Sequence, residues 1–479
     1  MKRCSLLFAF LLLLCVSCSN SDLFSDSRQT SSNKCCFTKS DISSFKVNEE
    51  DINAYLRFKS LLNKDDSFEV KSVFPFPSED KPFLYAINYS DCWELVSSDK
   101  RTAVVISYGE GEFDPNTENE SMLAWVTYLG ETVDVLSKTN YMPKNGEDYC
   151  RFWELLSSTN LKPITRSGPD TLYHPVPGHY ELFQVDSAII TTEDIDHLIS
   201  TNWGQDFPFN QYCPIDSSVI NYPRCLAGCI PVAAGQIVYY YHYSGDACPE
   251  VYDSAYCNTR EYNRTDWTKM IQLNKTDSNW AKFETSDSLR MAAVMLANFG
   301  KGIQLHYRSS GSGLYSIESL QDVIMDEYYF GSFYATFEFA SFNPYDYLFE
   351  LLQDGYPSIL SIISNYNNPP VGHALVLDRY KKARTSYVFH YMYIPDDPNI
   401  IPLPEWDVDY VYQSPKVLYF GMKWGNRGLY DNSWHICTSD WRISSNIYDE
   451  KFELMTFRND GGYPGEEEEE GQSILNPVL

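Results

Sequence analysis

The chain has 479 residues, with 37 Lys and Arg against 65 Asp and Glu, a formal net charge of −28. That length is too great for one ordinary domain and predicts two or three with sizeable cores. The charge argues against nucleic acid as a partner, because phosphate binding needs a basic footprint and no strongly basic run is present.

Lys2 and Arg3 precede an apolar run from Leu6 to Val16, which ends in Ser17-Cys18-Ser19-Asn20. Residues 1–18 read as a secretory signal, too short for a membrane span, and no other stretch approaches about 18 unbroken apolar residues. The small Ser17 and the polar residues after Cys18 resemble a bacterial lipobox. That makes Cys18 the lipid anchor of an outer-membrane or cell-surface lipoprotein, with the lipid as the only membrane attachment. Cys15 stands where the lipobox prefers Leu, so plain cleavage and secretion is the alternative. Export permits disulfides, but Cys4, Cys15, Cys18 and Cys229 aside, nine of the thirteen cysteines remain. An odd number cannot all pair, and connectivity cannot be read from spacing, although Cys248 and Cys257 could close a small loop.

Residues 19–45 are Ser/Asn/Asp-rich and read as a flexible tether. From Asp51 to Leu62 the spacing of Ile52, Tyr55, Leu56 and Leu62 predicts a helix. Phe83–Tyr89 and Cys92–Ser97 alternate like paired strands around a tight turn, Thr102–Tyr108 predicts a third strand, and Ser121–Val135 a helix. Residues 46–170 therefore form a small α+β unit. Lys162-Pro163, Ser167-Gly168-Pro169 and His174–Gly178 mark an exposed linker over 171–194 without regular pairing, open to a protease. A second unit follows over 195–457, with His197 in an expected opening helix, a further helix near Ser288–Phe299, and strands near Ser358–Ile363 and His373–Leu377. Glu466–Glu470 belong to a self-repelling, disordered acidic tail over 458–479.

Within the second unit, Gly228-Cys229-Ile230-Pro231 leads into Val232–His242, apolar on nearly every face, which predicts a central core helix. Pro231 suits a first helical turn and Gly228 permits a sharp entrance. A thiol at that end meets the positive pole of the helix dipole, which favours the nucleophilic thiolate. A buried structural cysteine is the plainer alternative, and what decides is whether a base accompanies it. Of eight histidines, His174 and His179 fall in the linker and His197 in the opening helix. His242 is placed as a helix-end cation, and His306, His390 and His435 default to surface or structural roles. His373 differs: Pro369-Pro370-Val371-Gly372 feeds it into the apolar strand Ala374–Leu377, at the rim of a sheet. It lies 144 residues after Cys229, the separation of nucleophile and base in papain-like enzymes.

With these residues in place the chain resembles the C10 family of cysteine peptidases, the streptopain-like enzymes. Similar blocks run in order from Trp203-Gly204-Gln205 with Pro208-Phe209-Asn210, through Gly228–Ile237, Tyr307 with Gly311-Ser312-Gly313, and Gly355-Tyr356-Pro357, to Gly372–Asp378. Leu84–Asn88, Trp93–Arg101 and Val105–Gly109 look like the family's propeptide. The resemblance implies an α+β fold, a papain-like cysteine peptidase domain behind a small α+β inhibitory prodomain. It implies Cys229 as nucleophile, His373 as general base and acid, and Gln205 with the Cys229 N–H as the oxyanion hole. Gly311, Ser312 and Gly313 would line the cleft. No cofactor or metal is implied, and the partners are protein or peptide substrates and the chain's own prodomain.

The family pattern has Asn-Trp-Gly-Trp near the C-terminal end, the Asn orienting the histidine and the Trp shielding that contact. Here Lys423-Trp424-Gly425-Asn426 occupies the place, and lysine cannot accept an imidazole N–H. Trp424 and Asn426 are the remaining orienting or shielding candidates. Pro395–Pro404 marks an insertion before this motif. The reading is an exported cysteine endopeptidase made as a zymogen; the alternative, motivated by Lys423, is a catalytically silent surface-binding protein on the same scaffold.

Overall fold

The computed structural model describes residues 42–63, 69–117, 119–157, 178–220, 223–243, 287–314, 316–328, 331–338, 344–364, 371–403, 407–436 and 451–458. Cys18, residues 19–41 of the expected tether, the Pro-rich stretch with His174, Cys248, Cys257 and the glutamate tail lie outside them, whereas the last four tether residues, Ile42–Phe45, form a short 3-10 helix because Phe45 is buried and its carbonyl accepts the Lys100 N–H at 2.8 Å. The helices are α1 (Glu49–Leu62), α2 (Glu120–Ser137), α3 (Gly146–Ser157), α4 (Cys229–Tyr243), α5 (Asp287–Gly302), α6 (Ser319–Tyr328) and α7 (Pro344–Gln353). The strands are β1 (Val70–Phe76), β2 (Leu84–Tyr89), β3 (Cys92–Ser97), β4 (Val105–Glu110), β5 (Gly178–Ile195), β6 (Gly331–Glu338), β7 (Ser358–Ser364), β8 (Val371–Pro395), β9 (Val408–Gln413), β10 (Val417–Lys423), β11 (Trp434–Ile436) and β12 (Lys451–Arg458). The fold is α+β, and β1–β2–β3–β4–β11–β10, β5–β8–β9 and β8–β7–β12–β6 pair antiparallel. Among the described residues no helix is long and apolar enough to cross a membrane.

Two compact units are built from non-contiguous pieces of chain. Met1–Asp196, Arg379–Met422 and Tyr430–Asp449 form one; His197–Asp378, Lys423–Leu429 and Glu450–Leu479 form the other.

In the first unit β1, β2, β3 and β4 make an antiparallel meander, and β11 adds to β4 through Trp434 opposite Tyr108 and His435 opposite Ser107. Helix α1 begins with a reciprocal capping box, in which the Asn48 side chain accepts from the Asp51 N–H and the Asp51 carboxylate accepts from the Asn48 N–H, both at 3.0 Å. That arrangement satisfies two donors every helix start leaves free. Ile52, Tyr55 and Phe58 of α1 and Phe152, Trp153 and Leu155 of α3 share one core with Tyr180, Leu182 and Val185 of β5, Phe389, Tyr391 and Tyr393 of β8, and Tyr412 of β9. Rings set the geometry, as where Phe58 meets Phe152 edge-on at 5.3 Å between centroids.

A buried cation locks the same unit. Arg101, fully enclosed, donates to both carboxylate oxygens of Asp99 at 2.9 and 2.6 Å. It also donates to the carbonyls of Leu136, Thr139 and Tyr141 at 2.7–2.8 Å. Those carbonyls end α2 and start the loop after it, so one guanidinium supplies the donors a helix C-terminus lacks.

The linker expected over 171–194 differs in the structure. From Gly178 it is strand β5, paired with β8 from Gly178 opposite Pro395 to Ile195 opposite Tyr380. The reason is that Tyr180, Leu182 and Val185 bury against the aromatic core, while the Pro/Gly signals that predicted a loop stop at Gly178. Strand β8 likewise continues far beyond the short run expected at 373–377, because its Tyr/Phe-rich second half pairs on both edges, with β5 and β9.

In the second unit β12 lies between β6 and β7, Leu454 facing Ala335 on one side and Leu360 on the other. Strand β7 in turn pairs β8, with Ile359 opposite Val376 and Ile362 opposite His373. Helix α4 is the core: Ile230, Val232, Ala233, Ala234, Ile237, Val238, Tyr239 and Tyr241 are all buried with residues of α5 and of strands β7, β8 and β12. The helix expected to open at His197 is absent, and 197–203 run without helical pairing. Tertiary bonds override local preference there: His197 Nδ1 bonds the buried Asp378 carboxylate at 2.7 Å, and the Leu198 N–H donates to the Asp378 carbonyl at 3.0 Å.

Candidate active site

Cys229 is the first residue of α4, and Gly228 before it has φ +91°, so the chain turns into the helix through a conformation that side chains resist. Space is also limiting. A Cβ on Gly228 would lie 2.8 Å from Leu305 Cδ2 and 3.2 Å from the Ser312 carbonyl oxygen. Gly228→Ala is therefore expected to cost about 2 kcal/mol of stability, read as a lowered midpoint in chemical denaturation. Full stability in that variant would contradict the geometry.

Cys229 is a buried residue, 7% exposed, and its sulfur accepts the Ala374 N–H at 3.3 Å. Ala374 follows His373 on β8, so the thiol sits against the strand that carries the imidazole. This backbone donor and the helix N-terminus act on the same sulfur in the same sense, both favouring negative charge there. His373 is itself enclosed, and burial pushes its imidazole down to about 4, so its neutral form, the one able to accept a proton, dominates at neutral pH.

Gln205 is held by its main chain. Its carbonyl accepts the Ala227 N–H at 2.8 Å, two residues before Cys229, and its neighbour Gly204 bridges to Asn426. The loop of Gly311, Ser312 and Gly313 returns on itself: Ser312 Oγ accepts from the Arg308 N–H at 2.9 Å, and Gly313 bridges to His306. The Ser312 carbonyl then faces Gly228. Four of the sequence-read features, Cys229, the His373 strand, Gln205 and the 311–313 loop, thus converge on the start of α4.

Trp424 is fully buried, and the next residue, Gly425 at φ +68°, lies against Val232 of α4. Asn426 is placed by main-chain contacts, bridging Gly204 and accepting from the Leu429 N–H at 3.0 Å. Lys423 is buried, and its ammonium donates to Asn202 Oδ1 at 3.0 Å. Sequence reading found the substitution at 423 but not this acceptor. Asn202 lies one residue before the Trp203-Gly204-Gln205 block, and no spacing rule links it to position 423. The Arg427 guanidinium pairs with Asp206 on the same stretch, another contact without a sequence signal.

The histidines set aside have structural partners. His435 is fully enclosed between Ser107 Oγ at 3.0 Å and Ser433 Oγ at 2.7 Å, and burial, aided by Arg379, pushes it down to about 3. The half-buried His390 bonds Asp409 at 2.7 Å and Asp186 at 3.0 Å. His435 and His373 share one pH consequence. A buried imidazole whose folded value is lowered stays neutral while the unfolded chain takes up a proton below about 6.5. The stability it contributes is complete above that value and is lost as pH falls through 6.5 towards the folded values of about 4 and 3. We expect an acid-side loss on the order of 3 kcal/mol from each histidine. It is checked by denaturation midpoints between neutral and acid pH in wild type and in His435→Gln; an unchanged pH slope in that variant would contradict the assignment.

Among the described residues no cluster of three or more His, Cys, Asp or Glu is arranged to hold a metal ion. Of the described cysteines, Cys213 and Cys225 are buried free thiols.

No curated protein matches the chain. Among solved structures, a Prevotella intermedia prointerpain A fragment carrying a cysteine-to-alanine mutation is similar at 16% identity, over 82% of this chain and 99% of that one, with a TM-score of 0.48. Active wild-type interpain A cysteine protease from the same organism is similar at 17% identity, over 57% of this chain and 96% of that one, with a TM-score of 0.34. Residues 203–394 match the Peptidase C10 family model, a span that holds Gln205, Cys229, the 311–313 loop and His373. Over residues 203–394, then, this chain is similar to the C10 peptidases.

Proposed function

We propose that the protein is an exported cysteine endopeptidase made as a zymogen, acting through Cys229 and His373. The observation that carries the reading is the Ala374 N–H on the Cys229 sulfur, which joins the start of α4 to the residue after His373. The neutral His373 imidazole takes the thiol proton. The thiolate attacks the substrate carbonyl carbon, and the oxygen that becomes negative is stabilised by the Cys229 N–H and the Gln205 side-chain amide. His373 then gives its proton to the leaving amine as the C–N bond breaks. Water, deprotonated by the same imidazole, hydrolyses the acyl-enzyme and restores the thiol.

Residues 46–170 act as the inhibitory prodomain. In support, α1 and α3 share a core with Phe389, Tyr391 and Tyr393, which lie inside the family-matched span. Release of the N-terminal region would then expose an aromatic surface of the peptidase, a reason for it to stay attached until cut. Cys18 carries the lipid that holds the protein at the cell surface, and its substrates are proteins or peptides. The burial of Lys423 and its bond to Asn202 favour a built, satisfied site over a decayed one. The silent-scaffold reading therefore stands second.

The test is hydrolysis of labelled casein by the full chain before and after limited proteolysis within residues 158–177. Activity that appears on cutting is expected. No activity from cut protein, with its fold intact by circular dichroism, would overturn the zymogen reading.

A further inference from the structure

Seven residues separate Cys229 from Gln236, which is two helical turns, so both side chains leave α4 on the same face about 10 Å apart along its axis. Gln236 is almost fully enclosed. Its Oε1 accepts the Trp203 N–H at 3.3 Å and the Thr201 hydroxyl at 3.2 Å, and its Nε2 has no hydrogen-bond partner. A buried amide nitrogen without a partner is costly, so what offsets that cost at this position is the pair of bonds the oxygen accepts. The residue before it, Gly235, lets the strand come close: a Cβ there would sit 3.0 Å from the Trp203 ring and 2.8 Å from Leu296. Beyond Trp203 the strand is tied by Arg427 N–H to the Trp203 carbonyl at 3.1 Å, and by Ala227 N–H to the Gln205 carbonyl at 2.8 Å.

We propose that Gln236 is a positioning residue for the oxyanion donor: it fastens the 201–203 segment to the nucleophile helix, so that Cys229 and Gln205 are held on one rigid element. The inference rests on the proposed peptidase site. Without the Gln236 acceptor the segment keeps its ties to Lys423, Asn426, Arg427 and Ala227, but the Thr201 hydroxyl and Trp203 N–H lose the oxygen that joins them to α4. Gln205 lies two residues on, where a shift well under 1 Å lengthens a hydrogen bond to a developing oxyanion. The amide of Gln236 itself never touches substrate.

Gln236→Met keeps length and volume and removes the acceptor, while Gln236→Glu keeps acceptor oxygens. In activated enzyme, Gln236→Met is expected to lower kcat about tenfold with little change in KM, since only a transition-state contact is loosened. In a Gln205→Ala background the same change should cost less than about twofold, because the donor it positions is gone. Alkylation of Cys229 by iodoacetamide should proceed at the wild-type rate in every variant, and Gln236→Glu should recover part of the lost kcat. A second readout does not depend on turnover: hydrogen exchange of the Trp203–Gln205 amides should speed up in Gln236→Met, with α4 protection unchanged. Equal losses in the wild-type and Gln205→Ala backgrounds, or unchanged exchange at Trp203–Gln205, would overturn the proposal. Wild-type protein that alkylates at Cys229 but never hydrolyses peptide would sink the peptidase reading instead, and the exchange result would still decide whether Gln236 anchors the strand.

Discussion

Cys229→Ala is expected to remove peptide hydrolysis by roughly four to six orders of magnitude, because without the thiolate no acyl-enzyme forms and the remaining groups act only on water. The expected structural cost is small. Cys229 is buried at the first position of α4, Ala is a better helix former, and the lost sulfur leaves only a small void beside Ala374. Thermal midpoints should therefore differ by no more than a few degrees while turnover vanishes. A variant that unfolds together with its activity would point to the structural-cysteine alternative, in which the residue packs and does nothing else.

Arg101→Ala is expected to give the largest stability loss in the chain, about 3–5 kcal/mol, chiefly by stranding a buried carboxylate. The Asp99 carboxylate, almost fully enclosed, loses both bonds from the guanidinium; the carbonyls of Thr139 and Tyr141 lose the guanidinium donor, and that of Leu136 keeps its bonds from Thr139. The Arg101→Ala, Asp99→Ala double variant should recover part of the loss, because an unpaired buried charge costs more than a missing pair. Urea denaturation of the four-member cycle checks this. Additive losses would mean that the pair contributes nothing beyond its separate contacts. If the N-terminal region is an inhibitor, Arg101→Ala should also raise leak activity before cutting, since the unit containing α2 opens more often.

Local signals made much of this architecture legible. The nucleophile helix was readable at Cys229 because Pro231, Gly228 and an apolar run covering every face all agree, and α4 begins at that residue. Helix α2, the β2–β3 hairpin and the 358–364 strand follow the expected periodicities within a few residues. What could not be read depends on partners distant in sequence. Strand β5 hides behind a Pro/Gly-rich flank, and its pairing partner lies some two hundred residues later. The stretch opening at His197 looks helical alone but is straightened by Asp378 and Gln236. In the site, residue types identified Cys229, His373 and Gln205, whereas Asn202 carries no motif and Gln236, inside the Gly228–Ile237 block, gives no sign in sequence of the Thr201 and Trp203 donors its oxygen holds. The pairing of α1 and α3 with β8 was equally out of reach, since large aromatic residues specify burial and not the partner.

The central claim is that Cys229 is the nucleophile of a working peptidase site. Activated protein treated with a peptidyl epoxide and digested for mass spectrometry tests it most directly. The account predicts one equivalent of inhibitor on Cys229, loss of casein hydrolysis in step with labelling, and no adduct on Cys92, Cys150, Cys213 or Cys225, of which the last three are buried. Fully active protein that carries no adduct on Cys229, or that loses activity through a different cysteine, would contradict it.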